Sequence, residues 1–256
     1  MEQLIQDKLK QNNWSVYIKD IASISDEEFA KARHNTFGAS DSSKLLEVNP
    51  FPNGKLSDLM NEKINEIVDE TISKKPSVRM GKDIEPIILD KATEALQSYV
   101  YKPYNMYKDD NSALSVNFDG VVYLNDELIP VEAKAISRFG RKYYDFNKAT
   151  FTQKDGEWHP LNVIDLKPTV EGNDETYINN LAEAYGIPVY YFTQLQQQIL
   201  ALNSDYGYLI ALDVENWNAH MFKIYRDNYT INKLVSLGTA YGIKLQCMKN
   251  KKSLGD

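Results

Sequence analysis

The sequence predicts a mixed α/β sandwich in which helices flank a central mixed sheet. Apolar residues recur at three- and four-residue steps before residue 100 and again after residue 175, as on one face of a helix. Between these regions, and once more near residue 210, they alternate or form short β-branched runs, as in strands. Helical segments on both sides of strand segments predict helices packed on a sheet.

The composition limits the classes of protein to which this chain can belong. The 256 residues can bury a core of their own, and one domain with an amino-terminal extension over residues 1–30 is the simplest organisation. The single cysteine, Cys247, excludes an internal disulfide and a multi-thiolate metal site. No signal-peptide run or membrane-spanning stretch is present, which predicts a cytoplasmic protein with no membrane contact. The net charge of -7 disfavours a protein that coats nucleic acid nonspecifically.

Two helices are predicted before residue 100. The first covers residues 55–72, where apolar positions form one face. The second is predicted to begin after Gly81, with Asp83 as a candidate cap, because Pro86 is tolerated only near the start of a helix.

The following segment predicts a β-hairpin. Residues 113–124 and 127–136 are rich in strand-forming residues, and Asn125-Asp126 between them is typical of a two-residue turn. That register places Asp119 opposite Glu132 on the neighbouring strand.

The rest of the chain predicts an insertion followed by further helices and strands. Residues 140–174 are polar and aromatic and too long for an ordinary loop, which indicates an insertion or flap. Helices are then predicted over residues 175–185 and 190–203, strands over 206–212 and 219–225, and a final helix to residue 241.

A basic and aromatic stretch runs from Lys134 to Lys154, with Asp145 as its single internal acid. Its candidate nucleic-acid contacts are Arg138, Arg141 and Lys142, interleaved with the aromatic residues Phe139, Tyr143, Tyr144 and Phe146. Such a stretch could follow a phosphate backbone and stack on bases. A solvated loop is the alternative.

Asp119, Glu132 and Lys134 are the candidate chemical groups. Two facing carboxylates repel each other unless a cation lies between them, so the pair predicts a divalent metal. Lys134 shares a strand face with Glu132, and its ammonium can orient or help to deprotonate a water and stabilise charge on a phosphate. This chemistry suits phosphodiester hydrolysis. A solvated ion pair on an exposed sheet face is the alternative.

A competing triplet follows later in the sequence. Asp155-Gly156 precedes Asp165-Leu166-Lys167, which has the same order of acid and lysine. Residues 152–159 are polar and lack strand alternation, so this triplet ranks lower.

Five segments in order carry a family resemblance. They are Arg33 with Gly38-Ala39-Ser40-Asp41 and Asn49-Pro50-Phe51, Met80-Gly81-Lys82-Asp83-Ile84-Glu85-Pro86, Phe118-Asp119-Gly120, Glu132-Ala133-Lys134, and Pro188-Val189-Tyr190-Tyr191-Phe192-Thr193-Gln194-Leu195-Gln196. Together they resemble the phage lambda exonuclease type of viral recombination nuclease, a branch of the PD-(D/E)XK superfamily. The resemblance covers residues 33–212 and implies a restriction-endonuclease-like sandwich.

The resemblance also implies roles for single residues. Asp119 and Glu132 would hold the metal with the backbone carbonyl of Ala133, and Lys134 would be the catalytic lysine. Glu85 would add a carboxylate, although an acid complementing a helix amino terminus is the alternative. Gln194 would reach the active site, against the alternative of a polar helix-face residue.

Arg33 and Ser40 resemble the pair that holds a terminal phosphate, since a guanidinium and a hydroxyl suit that anion. An exposed ion pair, with a helix cap at Ser40 or Asp41, is the alternative.

For the whole protein, the resemblance implies a Mg²⁺-dependent nuclease, with Mn²⁺ as a substitute, that degrades double-stranded DNA from an end with five-prime to three-prime polarity. It further implies a toroidal homo-oligomer, a trimer, and a single-strand annealing protein as partner. A restriction or defence endonuclease and a catalytically silent DNA- or protein-binding module are the alternatives. The path from Lys134 to Gln194 is longer than the family's, which leaves the competing triplet open.

Overall fold

The computed structural model describes residues 1–52, 54–68, 71, 74–161, 167–170, 172 and 176–254. Its helices are α1 (Glu2–Gln11), α2 (Asp26–Arg33), α3 (Ser42–Leu45), α4 (Leu56–Ile64), α5 (Pro76–Leu96), α6 (Tyr177–Ala184), α7 (Val189–Leu202) and α8 (Asn228–Leu254). Its strands are β1 (Trp14–Ile18), β2 (Phe37–Gly38), β3 (Val100–Tyr101), β4 (Met106–Asp109), β5 (Leu114–Val116), β6 (Gly120–Leu124), β7 (Glu127–Ile136), β8 (Phe151–Lys154), β9 (Glu157–Pro160), β10 (Tyr206–Asp213) and β11 (Ala219–Tyr225). Among these described residues, no helix has both the length and the apolar character needed to cross a bilayer.

The described strands form two sheets. The larger has the order β3-β6-β7-β10-β11-β8-β9 and is antiparallel except for the neighbouring pair β7 and β10. The smaller has the order β1-β4-β5-β2. Helices α5 and α7 both pack on β7 and β10, on opposite faces of the larger sheet. The predicted mixed sandwich is confirmed, and the smaller sheet is an addition to it.

Alternation along β7 sorts its side chains between the two faces. Its odd-numbered apolar residues belong to the buried cluster under α5: Ile129, Val131 and Ala133. Leu128 and Ile136 belong to the cluster that includes α7. Because successive side chains of a strand point to opposite faces, Glu132 and Lys134 lie on the α7 side.

The hairpin between β6 and β7 has the predicted register. Asn125 and Asp126 both have positive φ, at 50° and 66°, as a two-residue turn of this kind requires. The ladder starts at the pair Leu124 and Glu127 and ends at Gly120 and Val131. Asp119 and Glu132 therefore follow the last pair directly, although they do not themselves form a ladder pair.

The prediction of one strand over residues 113–124 is wrong. β5 belongs to the smaller sheet and β6 to the larger, and the chain crosses between them at residues 117–119. Phe118 is buried at the crossing, and its ring packs against Tyr107 with centroids 6.4 Å apart. A buried aromatic residue at the break continues the apolar pattern, so the pattern alone hides the break.

The predicted helix boundaries need three corrections. α5 begins at Pro76, so Asp83 is not its cap and Pro86 lies inside it. An internal proline costs a helix about 3 kcal/mol, but Ile88, Leu89 and Ala92 follow it and bury the helix on the sheet. α4 ends at Ile64, and residues 69, 70 and 72 of its predicted extension lie outside the described residues. α8 continues beyond residue 241 to Leu254.

Part of the predicted insertion is an extension of the sheet. β8 and β9 form a hairpin around Asp155 and Gly156, and β8 pairs with β11. Because this edge hairpin is mostly exposed, its sequence lacks the alternation of a half-buried strand. Residues 162–166, 171 and 173–175 lie outside the described residues, and these include Asp165 and Leu166 of the competing triplet.

Candidate active site

Glu132 is fully buried on β7 and is surrounded by hydrogen-bond donors. Lys134 Nζ and Gln194 Nε2 both contact its Oε1. Gln198 Nε2 donates to Oε2 at 2.6 Å. Gln194 and Gln198 lie one turn apart on α7, so both amides reach the same carboxylate. Sequence reasoning named Gln194 and missed Gln198, for which the four-residue spacing was the available signal.

Asp119 lies at the end of the hairpin ladder and joins the same cluster. Its Oδ2 accepts a hydrogen bond from the Ala133 amide at 3.0 Å and lies 3.6 Å from Lys134 Nζ. A carboxylate thus replaces the β6 backbone as the partner of that amide. Asp119, Glu132 and Lys134 are thereby brought together around Ala133.

The charges in this cluster act strongly on one another. Burial and the neighbouring charge of Asp119 raise the pKa of Glu132 to about 8, against the opposing effect of Lys134. Burial by itself would lower the pKa of Lys134, but Glu132 and Asp119 outweigh it and raise that pKa. Lys134 is therefore a cation at neutral pH.

Glu85 of α5 lies close enough to Asp119 for their charges to interact. Burial and the charge of Asp119 raise the pKa of Glu85, while an ion pair with Lys102, 2.5 Å long, opposes this rise. Because α5 begins at Pro76, Glu85 lies in the middle of the helix. The alternative reading of Glu85 as an acid at a helix amino terminus is therefore wrong. Lys102 was not singled out from the sequence.

This donor set fits a magnesium ion. No group of three or more His, Cys, Asp or Glu side chains is placed to hold one ion in the described part of the chain. Mg²⁺ does not need such a cage, because it is usually held by one or two carboxylates, with water and substrate phosphates as the other ligands. The acids Asp119 and Glu132 meet that requirement, and their mutual repulsion is what a cation would relieve.

Tyr191 of α7 lies beside the catalytic candidates and was not assigned a role from the sequence. Lys134 Nζ stands 5.2 Å from the centre of its ring. Tyr191 also packs against Tyr190, with ring centroids 4.4 Å apart, and Tyr190 packs against Phe51 at 5.4 Å. An aromatic wall therefore extends from Lys134 to the half-exposed ring of Phe51.

Arg33 and Ser40 are direct neighbours. Arg33 Nη2 donates to Ser40 Oγ at 2.8 Å, and Ser40 is exposed. Asp41 lies next to them and accepts from Lys63 Nζ at 3.0 Å. Burial would raise the pKa of Asp41, but Lys63 and Arg33 lower it to about 2. The result is a partly exposed cation and hydroxyl supported by a buried ion pair.

Helix α7 connects this pair to the cluster around Glu132. Gln197 is fully buried on α7, where it accepts from Ser42 Oγ at 2.9 Å and donates to the Phe37 carbonyl at 3.0 Å. These contacts fasten the loop that carries Ser40 to the helix that carries Gln194 and Gln198.

The three basic residues predicted to contact DNA have different surroundings. Arg138 is exposed, and Lys142 is exposed with its Nζ 5.0 Å from the ring centre of Tyr143. Arg141 forms an ion pair of 3.2 Å with the buried Asp213. Lys167 of the competing triplet donates to the Arg226 carbonyl at 2.6 Å.

The fold matches known nuclease structures. The chain aligns with the crystal structure of LHK-Exo in complex with dAMP at a TM-score of 0.56 and 14% identity, over 90% of this chain and 97% of that one. It aligns equally well, at a TM-score of 0.55 and 14% identity over the same shares, with another crystal structure of LHK-Exo, described as an alkaline exonuclease from Laribacter hongkongensis. A search of curated proteins returns no match. The architecture is that of the PD-(D/E)XK nuclease fold.

A sequence-family comparison gives the family within that class. The model of the YqaJ-like viral recombinase domain matches residues 28–202, which is more than half of the chain. The chain belongs to this family of viral recombinase domains. The resemblance to recombination nucleases that the sequence motifs indicated is confirmed.

Proposed function

We propose that this protein is a Mg²⁺-dependent deoxyribonuclease that hydrolyses double-stranded DNA from an end as a five-prime to three-prime exonuclease in phage-type recombination. One observation is central to the proposal: Asp119, Glu132 and Lys134 meet on one face of the sheet, with the amide of Gln194 on Glu132. The likeness to an alkaline exonuclease supports the exonuclease part of this proposal.

Asp119, Glu132 and the Ala133 carbonyl would hold the metal. Glu85, which is paired with Lys102, would add a further carboxylate after leaving that ion pair. When bound, Mg²⁺ or Mn²⁺ would act as a Lewis acid toward the scissile phosphate and lower the pKa of an attacking water. Gln194 and Gln198 keep the carboxylate of Glu132 in one orientation, since each amide holds a different oxygen. The site is thereby preorganised for a charged substrate.

Lys134 would stabilise negative charge on the phosphate. Its raised pKa keeps it protonated, which favours charge stabilisation and water orientation over proton abstraction. Arg33 and Ser40 would bind the five-prime phosphate of the strand being cut, because a guanidinium and a hydroxyl offer several donors to that anion. Their partly exposed position is compatible with a ligand that arrives from solvent.

The proposal extends to assembly. We infer that the protein forms a ring-shaped homo-oligomer, the trimer that the family resemblance implies. We also infer that a single-strand annealing protein is its partner and binds the DNA strand that remains after digestion. Size-exclusion chromatography with light scattering measures the mass of the assembly. The annealing partner is sought among the products of neighbouring genes, by testing which of them co-purifies with this protein.

The test of end-directed cutting uses linear duplexes labelled at one five-prime or one three-prime end, with and without a terminal phosphate, and a covalently closed circle. We expect Mg²⁺-dependent release of label from the five-prime side first, faster with the terminal phosphate, and no cutting of the circle. Arg33→Ala should remove the preference for the phosphate. Efficient cutting of the circle would instead identify an endonuclease.

A further inference from the structure

Two aromatic side chains project into solvent just after the strand that carries Glu132 and Lys134. Phe139 is 82% exposed and Tyr143 is 50% exposed, although burial of such rings is strongly favourable. They are interleaved in sequence with two exposed basic residues, because Phe139 follows Arg138 and Tyr143 follows Lys142. We name Arg138, Phe139, Lys142 and Tyr143 the aromatic platform.

The platform stands on an ordered base. Arg141, between the two rings in sequence, is paired with Asp213 and lies 5.7 Å from the ring centre of Phe146. Tyr144 stacks on Phe146, with ring centroids 5.8 Å apart and planes at 12°. Phe146 in turn stacks on His220 at 3.9 Å. The segment that carries the exposed rings is therefore already ordered. Binding a ligand to these rings should cost little conformational entropy.

The platform is connected to the candidate active site. Tyr144 packs against Tyr191 at 6.4 Å, and Tyr191 lies below Lys134. Tyr143 is near enough to Tyr190 to contribute, after burial and Tyr191, to the raised pKa of the Tyr190 hydroxyl. A ligand lying on the platform would thus be continuous with a substrate at Lys134.

We propose that the aromatic platform binds unpaired DNA next to the active site, with bases stacked on Phe139 and Tyr143 and phosphates held by Arg138 and Lys142. This inference rests on the proposed nuclease function. Exposed rings interleaved with cations are the combination that binds single strands without sequence preference, because every base has a flat π face. Paired bases in a duplex bury those faces in the stack, so the platform distinguishes unpaired from paired DNA.

The acids near the platform leave its two cations unpaired. Asp213 is paired with Arg141, and neither Arg138 nor Lys142 forms an ion pair with any described residue. Asp145 and Glu183 line one cavity with Lys142 but lie beyond ion-pair distance from it. Arg138 and Lys142 therefore remain available for phosphates.

The experiment measures binding of a short oligonucleotide that carries 2-aminopurine, without metal so that cutting cannot occur. Stacking on an aromatic ring quenches this base. We expect Phe139→Ala and Tyr143→Ala each to weaken binding about tenfold and to reduce the quenching. Phe139→Trp should keep both, whereas Phe139→Leu should behave like Phe139→Ala because it lacks a π face. Tyr99→Ala is the matched control, since Tyr99 is 68% exposed and lies outside this segment.

A duplex of the same length serves as the second ligand, and it distinguishes failure of the platform proposal from failure of the nuclease proposal. The platform variants should bind it as the unchanged protein does. Equal single-strand binding by all variants, full retention by Phe139→Leu, or an equal loss on duplex DNA would overturn the platform. Failure of the nuclease proposal would appear separately, as an intact duplex after incubation of the unchanged protein with Mg²⁺.

Discussion

At the scale of single residues, Glu132 decides what the site can do. It is fully buried, yet both of its oxygens have partners from Lys134 and from α7. These partners favour the ionised form that a cation needs, whereas burial of the carboxylate opposes it. The sequence could reveal Glu132 and Lys134, because spacing on a strand fixes their shared face. The four-residue spacing indicates that Gln198 shares a helix face with Gln194, but its contact with Oε2 depends on how α7 is rotated on the sheet.

Gln198→Ala removes the donor to Oε2 of Glu132, and loss of one bond to a buried charge costs about 1–3 kcal/mol. We expect DNA hydrolysis to slow about tenfold or more, as 1.4 kcal/mol corresponds to a factor of ten. Gln196→Ala is the control on the same helix, because Gln196 bonds to Tyr225 and Asp227 and not to Glu132. Both variants should lose stability in urea, but only Gln198→Ala should lose rate at equal folded fraction. An unchanged rate in Gln198→Ala would contradict the assigned role.

Metal affinity should rise with pH. Burial and the charge of Asp119 raise the pKa of Glu132 without metal, so a proton competes with a cation for this carboxyl near neutral pH. Calorimetric titration with Mn²⁺ should therefore show tighter binding and less proton release as the pH rises from about 6 to about 8. Glu132→Gln should lose both the affinity and its pH dependence. An affinity that stays constant over this range would show that Glu132 is not a ligand.

At the scale of elements, the sequence predicted the features that adjacent residues determine and missed those that long-range contacts determine. The hairpin of β6 and β7 was predictable, because its turn and its register both follow from adjacent sequence. The crossing at residues 117–119 was not, since a buried ring hides it. The edge hairpin β8–β9 was not either, since it is mostly exposed and its buried residue, Gln153, is polar. The early start of α5 was also missed, because tertiary burial offsets the cost of Pro86. α8 was predicted too short for a similar reason, because it continues through Gly238 and Gly242, which pack closely against Leu114 and Ala113.

Glycines in helices can be tested in pairs. A Cβ at Gly242 of α8 would lie 2.6 Å from the Cβ of Ala113, whereas a Cβ at Gly81 of α5 would meet no atom within 4 Å. Gly242→Ala should therefore destabilise the protein by about 1–3 kcal/mol through overpacking. Gly81→Ala should stabilise it by about 0.5–1 kcal/mol, because alanine favours a helix. Urea unfolding measures both, and similar changes in both variants would show that α8 does not approach Ala113 closely.

At the scale of the whole molecule, α7 joins the two halves of the proposed mechanism. Gln194 and Gln198 hold Glu132 on the larger sheet, while Gln197 holds the loop of Ser40 beside the smaller one. The distance between the terminal phosphate and the scissile bond would then be set by one helix. The net charge of -7 is compatible with DNA binding when basic groups such as Arg138 and Lys142 are concentrated near the site.

The most direct measurement of the central claim is nucleotide release from a linear duplex with Mg²⁺ by the unchanged protein, by Lys134→Ala and by Lys167→Ala. Lys134→Ala should lower the rate by about a hundredfold or more, because a preorganised charge in the site is lost. Lys167→Ala should keep the rate, since that lysine contacts the Arg226 carbonyl outside the cluster. A normal rate in Lys134→Ala, or a loss confined to Lys167→Ala, would contradict the assignment of the active site to Asp119, Glu132 and Lys134.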